Sequence, residues 1–242
     1  DLEAELDPGL PEVVRHGTTS VIVGNCSIGL AFGAQRNERQ DPIVDCFARV
    51  ENIPKSVLAK TADKAVWTKP KEYLEHLDEL PLSANIAPFL PHSMLRIEVM
   101  GLQDSISRQP TGTELLRMTA ILEEALEDGY MGMSTDGLPL HFLANEPNLE
   151  KRIPTQYASF AEYKTLTDVL RKHDRVWQMT PATDNGLLTA RLFMLSSGRI
   201  YGKPLKVTAL AAIDSVNNRM NKSRALLFAN LLNTDLMQGN FR

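Results

Sequence analysis

The sequence has 242 residues, of which 43% are hydrophobic and 23% charged, and its formal net charge is −4. This composition is that of an ordinary globular protein and excludes fibrous and wholly disordered classes. Its basic residues are scattered, so we expect no nucleic-acid partner. Its apolar runs are far shorter than the roughly 20 residues of a membrane span, so we expect no membrane insertion. The two cysteines are too few for a disulfide framework, which favours a reducing, cytoplasmic location.

Five short runs of apolar or β-branched residues predict buried strands. They comprise residues 19–24, 83–90, 130–134, 175–180 and 205–210. Because these runs are apolar throughout and alternate with helical patterns, they predict an α/β fold in which helices cover a parallel sheet. No internal repeat or linker-like segment interrupts residues 1–242, so we expect one domain.

Amphipathic segments between and after these strands predict helices. They comprise residues 71–80, 113–128, 159–173 and 224–237. Thr111 or Thr113 is the candidate N-cap of the second helix. Ser159 followed by Glu162 predicts a capping box at the start of the third.

Two connections, residues 25–41 and 135–158, are longer than loops between neighbouring elements usually are. Each follows the predicted carboxyl end of a strand. Parallel α/β proteins bind their ligands at that edge of the sheet. We therefore expect both connections to contribute to a functional site.

Cys26 follows the first predicted strand and Gly24, a residue that lets the backbone turn sharply. A thiolate in this place can serve as a metal ligand or a nucleophile. An inert buried cysteine is the alternative, and position alone does not separate the two. Cys46 lies within a helical pattern and is predicted to be structural.

Three further candidates follow predicted strands. His92 and Arg96 could orient a carboxylate or an amide, or Arg96 could belong to the solvated side of a short helix. Ser134 lies in a sequence that superficially suggests a nucleophile elbow. Residues 137–139, Gly-Leu-Pro, prevent a helix from starting there, so a hydroxyl that lines a pocket is favoured over a serine nucleophile.

A longer similarity begins with residues 11–32, PEVVRHGTTSVIVGNCSIGLAF, which resemble the R-H-G-V-T-T-V-V-V-G-N-C-G segment of the N-acyl-D-amino-acid deacylases, a family of the amidohydrolase superfamily. Shorter matches follow in order: Asn85-Ile86-Ala87 with His92 and Leu95-Arg96, then L-E-E-A-L at residues 122–126 and G-M-S-T at residues 132–135. The similarity continues through residues 160–180 and so covers most of the chain.

The resemblance implies a (β/α)₈ TIM barrel that hydrolyses the amide bond of N-acyl-D-amino acids with a bound metal. It implies that residues 1–242 form the central part of that barrel, about five βα units, without its first and last strands. Cys26 matches a metal-ligating cysteine of the family, so one divalent ion, zinc before others, is the expected cofactor. The family's catalytic base would lie outside this part, and we expect the 242 residues alone to be inactive.

Two further metal histidines of the family do not transfer, because Thr180 and Ala209 hold the aligned positions. Neither residue can replace an imidazole at zinc. Asp136, His141 or Asp184 could supply a ligand from another place. Alternatively, the barrel has diverged into a binder of small molecules that does not hydrolyse them. The residues expected to contact an N-acyl amino acid are His92, Arg96, Ser134, Asp136 and His141.

Overall fold

The structure is a computed structural model that describes residues 1–35, 41–210 and 220–242. Within these ranges the strands are β1 (Ser20–Val23), β2 (Asn85–Pro88), β3 (Leu90–Pro91), β4 (Gly132–Asp136), β5 (Val176–Thr180), β6 (Lys206–Ala209) and β7 (Asn240–Phe241). Each of the five predicted strands overlaps an observed one. The second is divided into β2 and β3, and the sequence analysis did not predict β7.

The helices of the same ranges are α1 (Leu2–Leu6), α2 (Pro11–Arg15), α3 (Pro42–Val50), α4 (Lys55–Ala62), α5 (Pro70–Glu79), α6 (His92–Met100), α7 (Leu102–Ser105), α8 (Gly112–Asp128), α9 (Phe160–Lys172), α10 (Gly186–Phe193), α11 (Gly198–Tyr201) and α12 (Asn221–Leu232). None of them is long and apolar enough to cross a lipid bilayer. Short 3₁₀ turns lie at Gly33–Gln35, Pro154–Tyr157 and Met194–Ser196.

The described strands pair in parallel throughout, as the alternation of strands and helices predicts. β1 and β2 form a two-stranded sheet, and β3 to β7 form a five-stranded sheet in chain order. Phe89 joins the two sheets: its amide donates to the carbonyl of Val23 at 2.9 Å. The order runs from β1 to β7, and the described strands do not close into a barrel.

Capping confirms one predicted helix start and corrects another. Thr111 caps α8: its Oγ1 accepts from the amide of Glu114, whose carboxylate receives the amide of Thr111. Ser159 caps α9 by accepting from the amide of Glu162 at 3.2 Å. The amide of Ser159, however, donates to Gln109 and not to Glu162, so the predicted capping box is wrong.

Two boundaries differ from the sequence-based prediction. Thr135 and Asp136, predicted to begin a loop, belong to β4 because they pair in register with Met179 and Thr180 of β5. The last helix was predicted to reach residue 237 but ends at Leu232. Asn233 ends it by exchanging two hydrogen bonds with the backbone of Phe241, which draws the chain toward β7.

The core lies between the five-stranded sheet and the helices that cover it. α8 packs against α9, and α9 packs against β5. Met133 of β4, Trp177 of β5 and Val207 of β6 are at most 2% exposed. Because a fully buried large apolar side chain contributes roughly 1.5–3 kcal/mol, this layer holds the carboxyl ends of the strands in place.

Candidate functional site

A left-handed turn follows β1 and carries Cys26. Gly24, Cys26 and Ser27 have φ angles of 74°, 55° and 69°. A Cβ atom at position 24 would lie 2.6 Å from the carbonyl oxygen of Phe89. Glycine is therefore needed at position 24 for two reasons, its conformation and the close approach of Phe89.

The turn brings Cys26 against β5. The Cys26 amide donates to Oε1 of Gln178 at 3.1 Å, and its Sγ lies 3.4 Å from Oγ1 of Thr180. Burial raises the pKa of the Cys26 thiol, and the contact with Thr180 opposes that rise. Cys46, by contrast, is fully buried in the core, where burial raises its pKa further.

Thr180 and Ala209 hold the two positions at which the resemblance implies metal histidines. Thr180 ends β5 beside Cys26, and Ala209 on β6 pairs with Met179 in register. No group of three His, Cys, Asp or Glu side chains within residues 1–35, 41–210 and 220–242 could hold a metal ion. The residues that the structure describes thus do not fit the implied metal, and the assignment of Cys26 as its ligand stays a prediction.

A cavity of about 280 Å³ opens at the carboxyl ends of β4 and β5. Its polar lining consists of Thr135, Asp136, Arg152, Gln156, Tyr163, Thr180, Asp184 and Asn185, and its apolar and small lining of Gly137, Ala158, Met179, Ala182, Leu188 and Leu192. The long connection after β4, residues 137–159, contributes several of these residues. The connection thus lines a cavity at the predicted edge of the sheet, and a functional role for that cavity stays a prediction.

Polar contacts hold the side chain of Asp136, which lines the cavity at the carboxyl end of β4. Asp136 is 1% exposed, and its Oδ2 accepts from Nε2 of Gln156 at 2.9 Å. Its Oδ1 lies 3.0 Å from Nδ1 of His141. Burial raises the pKa of Asp136, while the contacts with His141 and Gln156 oppose the rise. Of the predicted substrate-contacting residues, Asp136 therefore lines the cavity, and His141 contacts Asp136.

His92 and Arg96 lie in the core and not on the cavity lining. Both are 0% exposed, so the solvated alternative for Arg96 is wrong. His92 Nε2 lies 2.9 Å from Oε1 of Glu162, and the guanidinium of Arg96 contacts both carboxylate oxygens of Glu162. We call these three residues the buried ion cluster.

The ionisation of the buried ion cluster follows from its geometry. Burial alone would raise the pKa of Glu162, but its contacts with His92 and Arg96 hold that pKa below the ordinary value. Burial lowers the pKa of His92, and together with the nearby Arg96 charge it outweighs the opposing effect of the Glu162 carboxylate. The arrangement is thus a carboxylate paired with Arg96 and hydrogen-bonded to a neutral imidazole.

A serine network, Ser27, Ser93 and Ser134, lies beneath the Cys26 turn, and each of its residues is 0% exposed. The Ser27 amide donates to Oγ of Ser134 at 3.1 Å, and the Ser134 hydroxyl donates to the carbonyl of Gly24. The Ser27 hydroxyl donates to Oγ of Ser93 at 2.8 Å. Among the described residues, the Ser134 hydroxyl is hydrogen-bonded to backbone groups of Ser27 and Gly24 and to no imidazole, so its surroundings do not support a nucleophile.

The sequence analysis missed Glu162, Gln156 and Arg152 as residues of this region. Glu162 was assigned to a helix cap, although its carboxylate points into the core instead. Gln156 and Arg152 lie within a long irregular connection, where no periodic pattern indicates which side chains turn inward. The available signal was Arg96, a charged residue between the apolar residues Leu95 and Ile97, because a buried charge needs a partner.

No family model matches the sequence. An uncharacterised protein of Mycobacterium tuberculosis is 37% identical over 220 residues, which are 89% of this chain and 35% of that protein. The N-acyl-D-aspartate deacylase of Alcaligenes xylosoxydans xylosoxydans is 27% identical over 187 residues, 76% of this chain and 33% of that enzyme.

A solved structure of D-aminoacylase, concerned with the functional role of its binuclear metal center, matches with a TM-score of 0.65 at 20% identity. The match covers 98% of this chain and 43% of that chain. The resemblance to the N-acyl-D-amino-acid deacylases is thus confirmed, and the mixed α/β fold is that of a part of D-aminoacylase. The chain spans about a third of the length of the relatives it matches.

Proposed function

We propose that this chain belongs to a protein that hydrolyses the amide bond of N-acyl-D-amino acids or a similar N-acyl substrate. The sequence similarity to N-acyl-D-aspartate deacylase over 76% of the chain is the observation that carries the proposal. The cavity at the carboxyl ends of parallel strands supports it, because enzymes of this fold bind their substrates there.

The chain itself supplies binding groups. Arg152 and Asp184 provide charges at the cavity, and Leu188 and Leu192 provide an apolar wall. Asp136, held by Gln156 and His141, provides a fixed carboxylate. His92, Arg96 and Ser134 act from the core, where they position the elements around the cavity rather than contact the substrate.

No reaction step is assigned to a metal ion, because the described residues do not form a site for one. Cys26 remains the candidate ligand that the family resemblance gives, next to Thr180. We therefore expect hydrolysis by the full-length protein and not by these 242 residues alone.

A second candidate function is a small-molecule binder without hydrolytic activity. Thr180 and Ala209 favour it, because they stand where the resembling family has metal histidines, and neither can ligate zinc in place of an imidazole. The cavity would then bind N-acyl amino acids and release them unchanged.

One experiment separates the two functions. The full-length protein is incubated with a panel of N-acetyl-D-amino acids, and the free amino acid is measured together with the bound metal. Hydrolysis that falls at least about tenfold in Cys26→Ala, with loss of metal, is expected if Cys26 is a ligand. Cys46→Ala is the matched control and should keep both. Binding of the panel without release of amino acid would contradict hydrolysis and favour the binder.

A further inference from the structure

An ion pair lies at the rim of the cavity. Nη2 of Arg152 is 2.8 Å from Oδ2 of Asp184, and the two side chains remain 37% and 42% exposed. Arg152 belongs to the connection after β4, and Asp184 to the connection after β5. Both residues line the cavity, so the pair is part of its wall.

Another carboxylate can replace Asp184 as the partner of Arg152 at a low cost in free energy. Exposed ion pairs contribute roughly 0–1 kcal/mol, because water solvates both partners and their side chains lose freedom on pairing. Asp184 engages Nη2 of Arg152, whereas Nη1 makes only a long contact of 3.4 Å with Oε1 of Gln156. A carboxylate that binds both nitrogens of the guanidinium would gain a second charge-assisted hydrogen bond.

The other residues that line the cavity indicate which groups, besides the carboxylate, the ligand has. Met179, Leu188 and Leu192 form an apolar wall beside the ion pair. Among the described residues that line the cavity, Arg152 alone is cationic, so the lining offers no partner for a second anionic group. A volume of about 280 Å³ is close to the lower end of the range for ligand pockets, roughly 300–1,000 Å³. The fitting ligand is therefore a small monocarboxylate with an apolar arm.

We propose that Arg152 is the carboxylate subsite of this cavity and that Asp184 occupies it internally until a ligand carboxylate displaces it. The inference rests on the proposed function for the identity of the cavity as the ligand site, and it deepens that function. It assigns one end of the substrate to one residue and makes Asp184 a competitor that lowers the apparent affinity.

The test uses a probe pair without a hydrolysable bond, 4-methylpentanoate and the neutral 4-methylpentan-1-ol. Binding of each to the full chain is followed by ligand-observed nuclear magnetic resonance. We expect the acid to bind at least about tenfold more tightly than the alcohol, and Arg152→Gln to remove that difference. Asp184→Asn should tighten binding of the acid by about threefold, because the competitor is neutralised.

The matched control is Asp104→Asn, which neutralises one of the two carboxylate partners of Arg108 in a similarly exposed ion pair away from the cavity. It should leave both affinities unchanged. Equal binding of acid and alcohol would overturn the inference, as would an Asp184→Asn variant that binds the acid more weakly.

The probes also separate this inference from the proposed function. Selective binding of the acid without hydrolysis of N-acetyl-D-amino acids would reject the function and keep the subsite. Hydrolysis of N-acetyl-D-amino acids at the same rate in the Arg152→Gln and Asp184→Asn variants would keep the function and reject the subsite.

Discussion

The thiol of Cys26 lies 3.4 Å from the hydroxyl of Thr180, although 154 positions separate the two residues in sequence. The family resemblance gives Cys26 as a metal ligand and gives Thr180 as the residue at a lost histidine position. The structure thus places side by side two positions at which the resemblance implies metal ligands, one held by Cys26 and the other by Thr180 instead of a histidine.

This proximity predicts that one substitution can rebuild part of a metal site. Thr180→His would set an imidazole beside the Cys26 thiol, and the cavity next to position 180 provides space for the larger ring. We expect cobalt(II) affinity to rise at least about tenfold, with a thiolate-to-metal absorption band. Thr208→His on the neighbouring strand is the control. An equal gain in Thr180→His with Cys26→Ala would contradict the shared site.

The serine network predicts a change confined to the Cys26 turn. Ser134→Ala removes the acceptor of the Ser27 amide and the donor to the Gly24 carbonyl. We expect alkylation of Cys26 by iodoacetamide to accelerate about threefold or more, because the strained turn opens more often. Cys46, fully buried, is the internal reference and should stay unreactive.

The control for this experiment is Ser105→Ala, which removes a buried hydroxyl that donates to Leu102 away from the turn. It should not accelerate Cys26 alkylation. A parallel increase at Cys46 in the Ser134 variant would indicate general opening of the fold and refute a local role.

The buried ion cluster predicts a large loss of stability on neutralising its carboxylate. Glu162→Gln leaves the fully buried guanidinium of Arg96 without a countercharge, and we expect a loss of about 3–5 kcal/mol in urea unfolding. Glu123→Gln, which neutralises the partly exposed partner of the exposed Lys172, should cost less than about 1 kcal/mol. Similar losses of unfolding free energy in the two variants would show that the buried ion cluster stabilises the fold no more than an exposed ion pair does.

We expect Asp45 on α3 to make the free energy of unfolding depend on pH. Burial, with a further contribution from the Asp41 charge, raises the pKa of Asp45 from 3.8 to about 6, and Lys55 opposes this. Between these values the folded chain keeps a proton that the unfolded chain has lost. Asp45 alone should therefore lower the free energy of unfolding by about 2 kcal/mol as the pH rises from about 4 to about 6.

The check is chemical denaturation across that pH range. Asp45→Asn should flatten the fall, whereas Asp78→Asn, on an exposed position of α5, should keep it. An unchanged slope in Asp45→Asn would assign the pH dependence to other groups.

The strands and the principal helices could be predicted from the sequence because their signals are local. Apolar runs and caps such as Thr111 depend on residues within a few positions. The contacts of Arg96 with Glu162 and of Ser134 with Gly24 could not be predicted, because each joins segments distant in sequence that only the folded sheet brings together. Glu162 shows the difference: its spacing from Ser159 fits a helix cap, but a buried guanidinium attracts its carboxylate more strongly.

Glu162 and Tyr163 are neighbours in the first turn of α9, but their side chains belong to different parts of the structure. Glu162 is tied to the core through Arg96, whereas Tyr163 lines the cavity, whose rim is formed by exposed side chains on connections. Substitutions at Arg152 or Asp184 disturb little packing and therefore cost little folding stability. We therefore expect substitutions at the rim to change ligand preference while α9 and the strands beneath it stay in place.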